Sequence, residues 1–236
     1  MSLVIELILI GGFFVLYPIF GGLTYRGQQR AIRAGRISRW RLYNEILLAE
    51  WAATLLVVGY WILEGLSWRE LGLTGPWNRA TAIAWVLALV AVGALAAQVL
   101  IGRHKDEWRR QVRSQLDAVD GLMPTSRSES LGFTAVAFTA GFCEEVLYRG
   151  FLFWWLQHLG LGTIAAAAGT VIFFGAAHLY QGWLGGLRAA AAGVFLIALT
   201  VLAGSLWPAI VLHVLGDLVS GWTARVARAE PTPSPA

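Results

Sequence analysis

The sequence predicts an all-α, polytopic membrane protein: a bundle of about seven transmembrane helices. Three observations carry that prediction. The 236 residues are 57% hydrophobic and only 14% charged, whereas a soluble domain averages about 45–50% apolar and about 25% charged. Several apolar runs reach roughly 20 residues, enough at 1.5 Å per residue to cross about 30 Å of hydrocarbon. The basic residues gather between alternate runs, as membrane topology requires.

In chain order, hydropathy and breakers place spans at about 3–25, 42–63, 80–101, 131–157, 161–181, 187–204 and 206–223. The first, from Leu3 to about Tyr25, has no basic leader and no small-residue cleavage site, so it reads as a retained anchor. The last two are divided only by Gly204-Ser205-Leu206-Trp207-Pro208, which suits a tight turn between antiparallel helices. Residues 224–236 read as a disordered tail, since Pro231-Thr-Pro-Ser-Pro-Ala236 can neither continue a helix nor build a core. The lone Cys143 excludes an intrachain disulfide, a cysteine-rich zinc site and an Fe–S cluster. No internal repeat or separate soluble domain is visible.

Arginines set the orientation. Arg26, Arg30, Arg33, Arg36, Arg39 and Arg41 follow the first span, and Arg103, Lys105, Arg109, Arg110, Arg113 and Arg127 follow the third. Arg188, Arg225 and Arg228 fall on the same side, while only Arg69 and Arg79 fall opposite. The positive-inside rule makes the crowded side cytoplasmic and puts the N-terminus outside. Lipid headgroups account for these charges at about 1 kcal/mol each, so no nucleic-acid partner is expected. Trp40, Trp61, Trp68, Trp77, Trp108, Trp183, Trp207 and Trp222 lie near span ends, where indole rings favour the headgroup boundary.

Glu144, Glu145 and Arg149 lie inside the fourth span, where each charge costs roughly 2.5–3.5 kcal/mol on insertion scales. Such residues face partners or a wet cavity. On a helix Arg149 shares a face with Glu145, four residues back, and offsets its burial. Glu144 is turned about 100° away and is left free to take and give protons. A buried ion pair locking two helices would account for Glu145 and Arg149 but not for Glu144. The fifth span ends in Phe174-Gly-Ala-Ala-His178, and the seventh holds His213-Val-Leu-Gly-Asp217. Asp217, at i+4, is placed to accept from one ring nitrogen of His213 and leave the other for substrate, water or metal. The expectation is a polar cavity among the fourth, fifth and seventh spans, open to the cytoplasm, with His178 nearer that face than Glu144 and His213 deeper. Glu6, Glu45 and Glu50 read as boundary or interhelical hydrogen-bonding residues, although Glu45 and Glu50 could line the cavity. Phe151, Phe153, Trp154 and Trp155 read as lipid-facing packing.

The run Glu144-Glu145-Val-Leu-Tyr-Arg149-Gly150, with Phe174-x-x-x-His178 and His213-x-x-x-Asp217, resembles the three ordered motifs of the CPBP family. That family holds the type II CAAX prenyl endopeptidases and the bacterial Abi or bacteriocin-processing intramembrane proteases. The stretch from Gly204 to His213 also resembles the family's approach to its last motif. The resemblance implies a CPBP-like catalytic core over 130–223, after N-terminal helices and basic loops over 1–129, in a bacterial cytoplasmic membrane. It implies an intramembrane endopeptidase acting on a membrane-associated peptide, of which CAAX-like substrates are one class. Glu144 would activate water, His178 would hold it, Glu145 and Arg149 would support the site, and His213 with Asp217 would stabilise the oxyanion or complete the water site. The family often has asparagine where this chain has Asp217. An ionised aspartate only accepts hydrogen bonds, so orienting His213 or binding a metal suits it better than holding an oxyanion. Glu144, His178, His213 and Asp217 are ligands zinc can use, but their spacing is not that of a zinc helix such as H-E-x-x-H. Metal-dependent and glutamate-type chemistry both stay open, and no other cofactor is implied. A proton- or cation-coupled transporter would also bury such groups, but broken helices and paired half-repeats are not seen. A non-catalytic membrane adaptor is the other alternative. The sequence fixes neither the substrate nor an oligomeric state.

Overall fold

A computed structural model describes residues 2–229. It is helical throughout its long elements, with no strand among the described residues. The chain runs through α1 (Leu3–Arg33), α2 (Arg39–Leu63), α3 (Arg79–Gly102), α4 (Asp106–Leu116), α5 (Arg127–His158), α6 (Thr163–Ala177), α7 (Trp183–Ala203) and α8 (Trp207–Arg228). Six of these helices are long and apolar enough to cross a membrane, and α6 is a shorter apolar helix between two of them. The polytopic bundle is therefore the fold, with about seven spans if α6 is counted.

Helix ends overrun the hydropathy boundaries because capping residues, not lipid contact, terminate them. The Ser38 hydroxyl accepts from the Arg41 N–H, Asn78 Oδ1 accepts from the Thr81 N–H, and Ser126 forms a reciprocal capping box with Glu129. At the other end α1 continues to Arg33 and α8 to Arg228, so residues 224–228, expected in the tail, are helical. The remainder of that expected tail, 230–236, lies outside the described residues.

Two further features depart from the sequence reading. The basic segment after α3 holds α4, whose Arg109 and Arg113 donate to the carbonyls of Val226 and Ala227 in the last turn of α8 and of Ala229 just past it. Those carbonyls have no intrahelical donor, and the guanidinium groups supply one. In addition, α1 widens into π-helical turns over Gly11–Leu16, and α5 does so over Glu145–Leu152. The two widened segments meet, since the Phe14 ring lies 5.0 Å from that of Tyr148.

The most buried of the long helices is α5, which contacts α2 and α8, while α6 and α7 pack closely as a pair. Phe151 is fully buried against Phe14, Tyr60 and Trp154, so this aromatic cluster is core rather than lipid-facing. Trp61, expected at the headgroup boundary, is likewise fully buried. Its indole N–H donates to the Ser67 carbonyl and its ring meets that of Trp154 at 4.8 Å. The loop after α2 plugs this arginine-poor end of the bundle: Leu71 is fully buried, and Gly72 O accepts from the Leu206 N–H at 2.8 Å.

At the crossing of α5 and α8, a Cβ placed on Gly141 would sit 2.8 Å from the backbone nitrogen of Val214. Only a glycine lets the two backbones approach this closely, and the crossing adjoins Glu144, Glu145 and His213. Gly141→Ala should lower stability by about 1–3 kcal/mol, the usual cost of overpacking. Gly93→Ala, where nothing lies within 4 Å, should be neutral or stabilising. Denaturation of both variants in detergent checks this ranking.

Candidate active site

The widened turn of α5 places Glu145 and Arg149 in the protein interior and leaves Glu144 at its edge. All eight residues of that turn are buried. A π-helical turn is rare and recurs at functional sites, because it realigns side chains that a regular helix would fan out. Arg149 Nη1 donates to Glu145 Oε1 at 3.0 Å, with both side chains fully buried. The guanidinium also lies 4.0 Å over the Phe174 ring of α6, a cation–π contact inside a dry environment.

The same carboxylate oxygen has a second donor. His213 Nδ1 lies 2.8 Å from Glu145 Oε1. A carboxylate only accepts, so Nδ1 carries the proton and Nε2 faces the other way. The sequence assigned this tautomer-setting role to Asp217, and the structure corrects it: Asp217 Oδ2 is 3.9 Å from Nε2, too far for a hydrogen bond. The i,i+4 rule considers one helix alone, whereas the close α5–α8 crossing brings a better acceptor from outside it.

His178 stands just past the last turn of α6. Its Nδ1 lies 2.8 Å from the Phe174 carbonyl, to which it donates, and again Nε2 is left free. Both free nitrogens point at one atom. Glu144 Oε2 is 3.7 Å from His213 Nε2 and 4.0 Å from His178 Nε2, and it is buried without a hydrogen-bond partner. The two imidazoles thus meet Glu144 at one level instead of the staggered depths expected from span positions. Phe174 closes the circuit, its ring beneath Arg149 and its carbonyl holding His178.

Glu144, His178, His213 and Asp217 line a cavity of about 1560 Å³. It reaches towards the arginine-bearing end of the bundle, where Gln115 of α4 and Arg188 of α7 line it. It is wider than a pocket among three spans, because α1 and α2 also contribute, through Tyr17, Glu45 and Glu50 among others. Sequence reasoning allowed Glu45 and Glu50 to line the cavity but favoured boundary or interhelical roles, and it did not single out Tyr17. The available signal was an acid in the middle of an apolar run, as at Glu50.

The donor set bears on a metal. Nitrogen ligands on one tetrahedral zinc, at about 2.0–2.1 Å, lie about 3.3 Å from one another. The separations of 3.7–4.0 Å around Glu144 and Asp217 are wider. Among the described residues no group of three or more His, Cys, Asp or Glu side chains converges to hold a metal ion. As placed, these residues do not fit one.

Residues 126–219 match the family model described as type II CAAX prenyl endopeptidase Rce1-like. The matched segment begins at the cap of α5 and ends two residues past Asp217, so it contains all six candidate site residues. No curated protein and no solved structure matches the chain.

Glu145→Gln should leave Arg149 as an unpaired buried charge and lower stability by about 3–5 kcal/mol. Glu144→Gln removes no hydrogen bond and should leave stability within about 1 kcal/mol of the original. Chemical denaturation of the two variants in one detergent separates them, and the reverse order would contradict the geometry.

Proposed function

We propose that this chain, whose residues 126–219 place it in the CPBP family, is an intramembrane endopeptidase that hydrolyses a peptide bond in a membrane-associated substrate, with Glu144 as general base. One observation carries the reading. Glu144 Oε2 is buried, lacks a hydrogen-bond partner, and faces two imidazole nitrogens at 3.7 and 4.0 Å. Contacts of that length are too long for direct hydrogen bonds and suit a water held between the three groups.

In this reading the bridging water gives one hydrogen bond to Glu144 and one to His178 Nε2, and its lone pair faces the scissile carbonyl. Its oxygen attacks the carbonyl carbon while Glu144 takes its proton, and the carbonyl π electrons move to oxygen. His213, as imidazolium, donates from Nε2 to that oxyanion. The carboxylates of Glu144, Glu145 and Asp217 around the ring balance its charge. Collapse of the tetrahedral intermediate expels the amine, which takes the proton from Glu144 and restores the carboxylate. Arg149 and Glu145 are positioning residues that hold His213. No step is routed through a metal. The arginine-bearing end is the cytoplasmic one in this reading, and the cavity admits substrate and water from that side.

The test is cleavage of membrane-anchored, internally quenched peptides, CAAX-like sequences among them, by purified protein in liposomes. Glu144→Gln should lose at least about 10²-fold in turnover while remaining folded, since general-base catalysis contributes about 10²–10⁴-fold. Asp217→Asn should keep partial activity, because Asp217 makes no hydrogen bond to the ring that acts. Exhaustive chelation, with elemental analysis of the same sample, should leave activity intact at substoichiometric metal. Activity lost on chelation and restored by one equivalent of zinc or cobalt per chain would overturn the metal-free mechanism.

A further inference from the structure

The acids buried in the membrane-spanning helices are all accounted for by partners or by the reaction, with one exception. Glu6 of α1 accepts from the Tyr60 hydroxyl at 2.6 Å and from the Trp155 indole at 3.1 Å, tying three helices together. Glu45 of α2 accepts from Gln28 and pairs with Arg41. Glu145 is held through Oε1 by Arg149 and His213, although its Oε2 is buried without a partner, and Glu144 faces the two imidazoles. Glu50 of α2 remains. It is only 9% exposed, its Oε2 is buried without a hydrogen-bond partner, and it lines the cavity that holds Glu144. A carboxylate kept out of water without a donor is unfavourable unless something arrives to satisfy it.

The fixed charge around it is mostly negative, with the His213 imidazolium of the reaction centre already surrounded by Glu144, Glu145 and Asp217. Glu45, Glu50, Glu144 and Asp217 line the cavity, and the one lining arginine or lysine among the described residues is the exposed Arg188. Arg149 is committed to Glu145. The cavity of about 1560 Å³ exceeds the roughly 300–1,000 Å³ of ordinary small-molecule pockets, so a peptide segment fits better than a free ion. Ala49 and Ala53, within one turn of Glu50 on α2, and Phe13 of α1 give the cavity apolar wall. That combination suits a side chain with an aliphatic stem and a cationic tip.

We propose that Glu50 forms a cation-recognising subsite beside the reaction centre, accepting the ammonium or guanidinium group of a lysine or arginine in the bound peptide. The endopeptidase reading supplies the peptide nature of the occupant, and the subsite adds a substrate class: segments with a basic residue near the cleaved bond.

The test measures binding and cleavage separately, on the full chain in nanodiscs. Acetylated, amidated peptides are compared that differ only in a Lys, Gln or Glu scanned through each position. At its best position the Lys peptide should bind the wild-type protein about tenfold more tightly than its Gln counterpart, a difference of about 1.4 kcal/mol. That ratio should fall to about one in Glu50→Gln and at least halve in Glu50→Asp, whose shorter stem withdraws the carboxylate. Glu50→Gln should melt no lower than wild type, since no partner is lost; Glu50→Asp serves if it does not fold. Equal binding of Lys and Gln peptides by wild type, a Lys preference that survives in both variants, or no peptide binding would overturn the proposal. A Lys preference in binding without cleavage of any peptide would instead keep the subsite and sink the endopeptidase reading. Cleavage without the preference would do the opposite.

Discussion

One oxygen atom, Oε1 of Glu145, sets the geometry of everything chemical in this protein. It accepts from Arg149 Nη1 at 3.0 Å and from His213 Nδ1 at 2.8 Å. A lone carboxylate in a dry interior is prohibitive, and so is a lone guanidinium. Together, with the Phe174 ring under the guanidinium, they form a compensated unit that a membrane-spanning helix can carry. The histidine then inherits its tautomer and direction from that unit. Because α6 supplies both the ring beneath Arg149 and the carbonyl that holds His178, the two imidazoles on different helices are indexed to one another through α5.

The fold builds a cavity lined by several polar and charged groups in an apolar setting by closing one end and leaving charge at the other. Leu71, Trp61 and the loop between α2 and α3 fill the arginine-poor end with apolar side chains whose polar atoms find backbone partners. Towards the arginine-bearing end, α4 and the last turns of α8 are joined by guanidinium-to-carbonyl bonds, which hold polar backbone in place without sealing the interior. Membrane helices associate through close packing rather than a hydrophobic force between them. Gly141 against Val214 is that principle at the crossing of α5 and α8 beside the candidate site.

Much of this was legible from residue order. Composition and apolar run lengths gave the helical bundle. The i,i+4 relation of Glu145 and Arg149 gave their ion pair, and the isolation of Glu144 within the same helix gave its separate fate. Contacts set by the approach of one helix to another were not legible. The sequence offered Asp217 as the partner of His213 because both lie on α8, while the true acceptor comes from α5. The widened turns over Gly11–Leu16 and Glu145–Leu152 leave no hydropathy pattern of their own. Helix α4 hid in a run whose many arginines were already explained by lipid. Glu50 could be read from the sequence as a boundary, interhelical or cavity-lining residue, and the choice needed the neighbouring helices in place.

The most direct test of Glu144 as a catalytic base is made in the cell membrane, where substrate need not be guessed. Membrane peptidomes of cells producing wild-type protein or Glu144→Gln, at equal abundance and equal melting temperature, should differ in a defined set of new peptide ends. Those ends should be present with wild type and absent with the variant. An identical set of ends in both, with any phenotype of the protein preserved by Glu144→Gln, would contradict hydrolysis at this site and favour a non-catalytic adaptor.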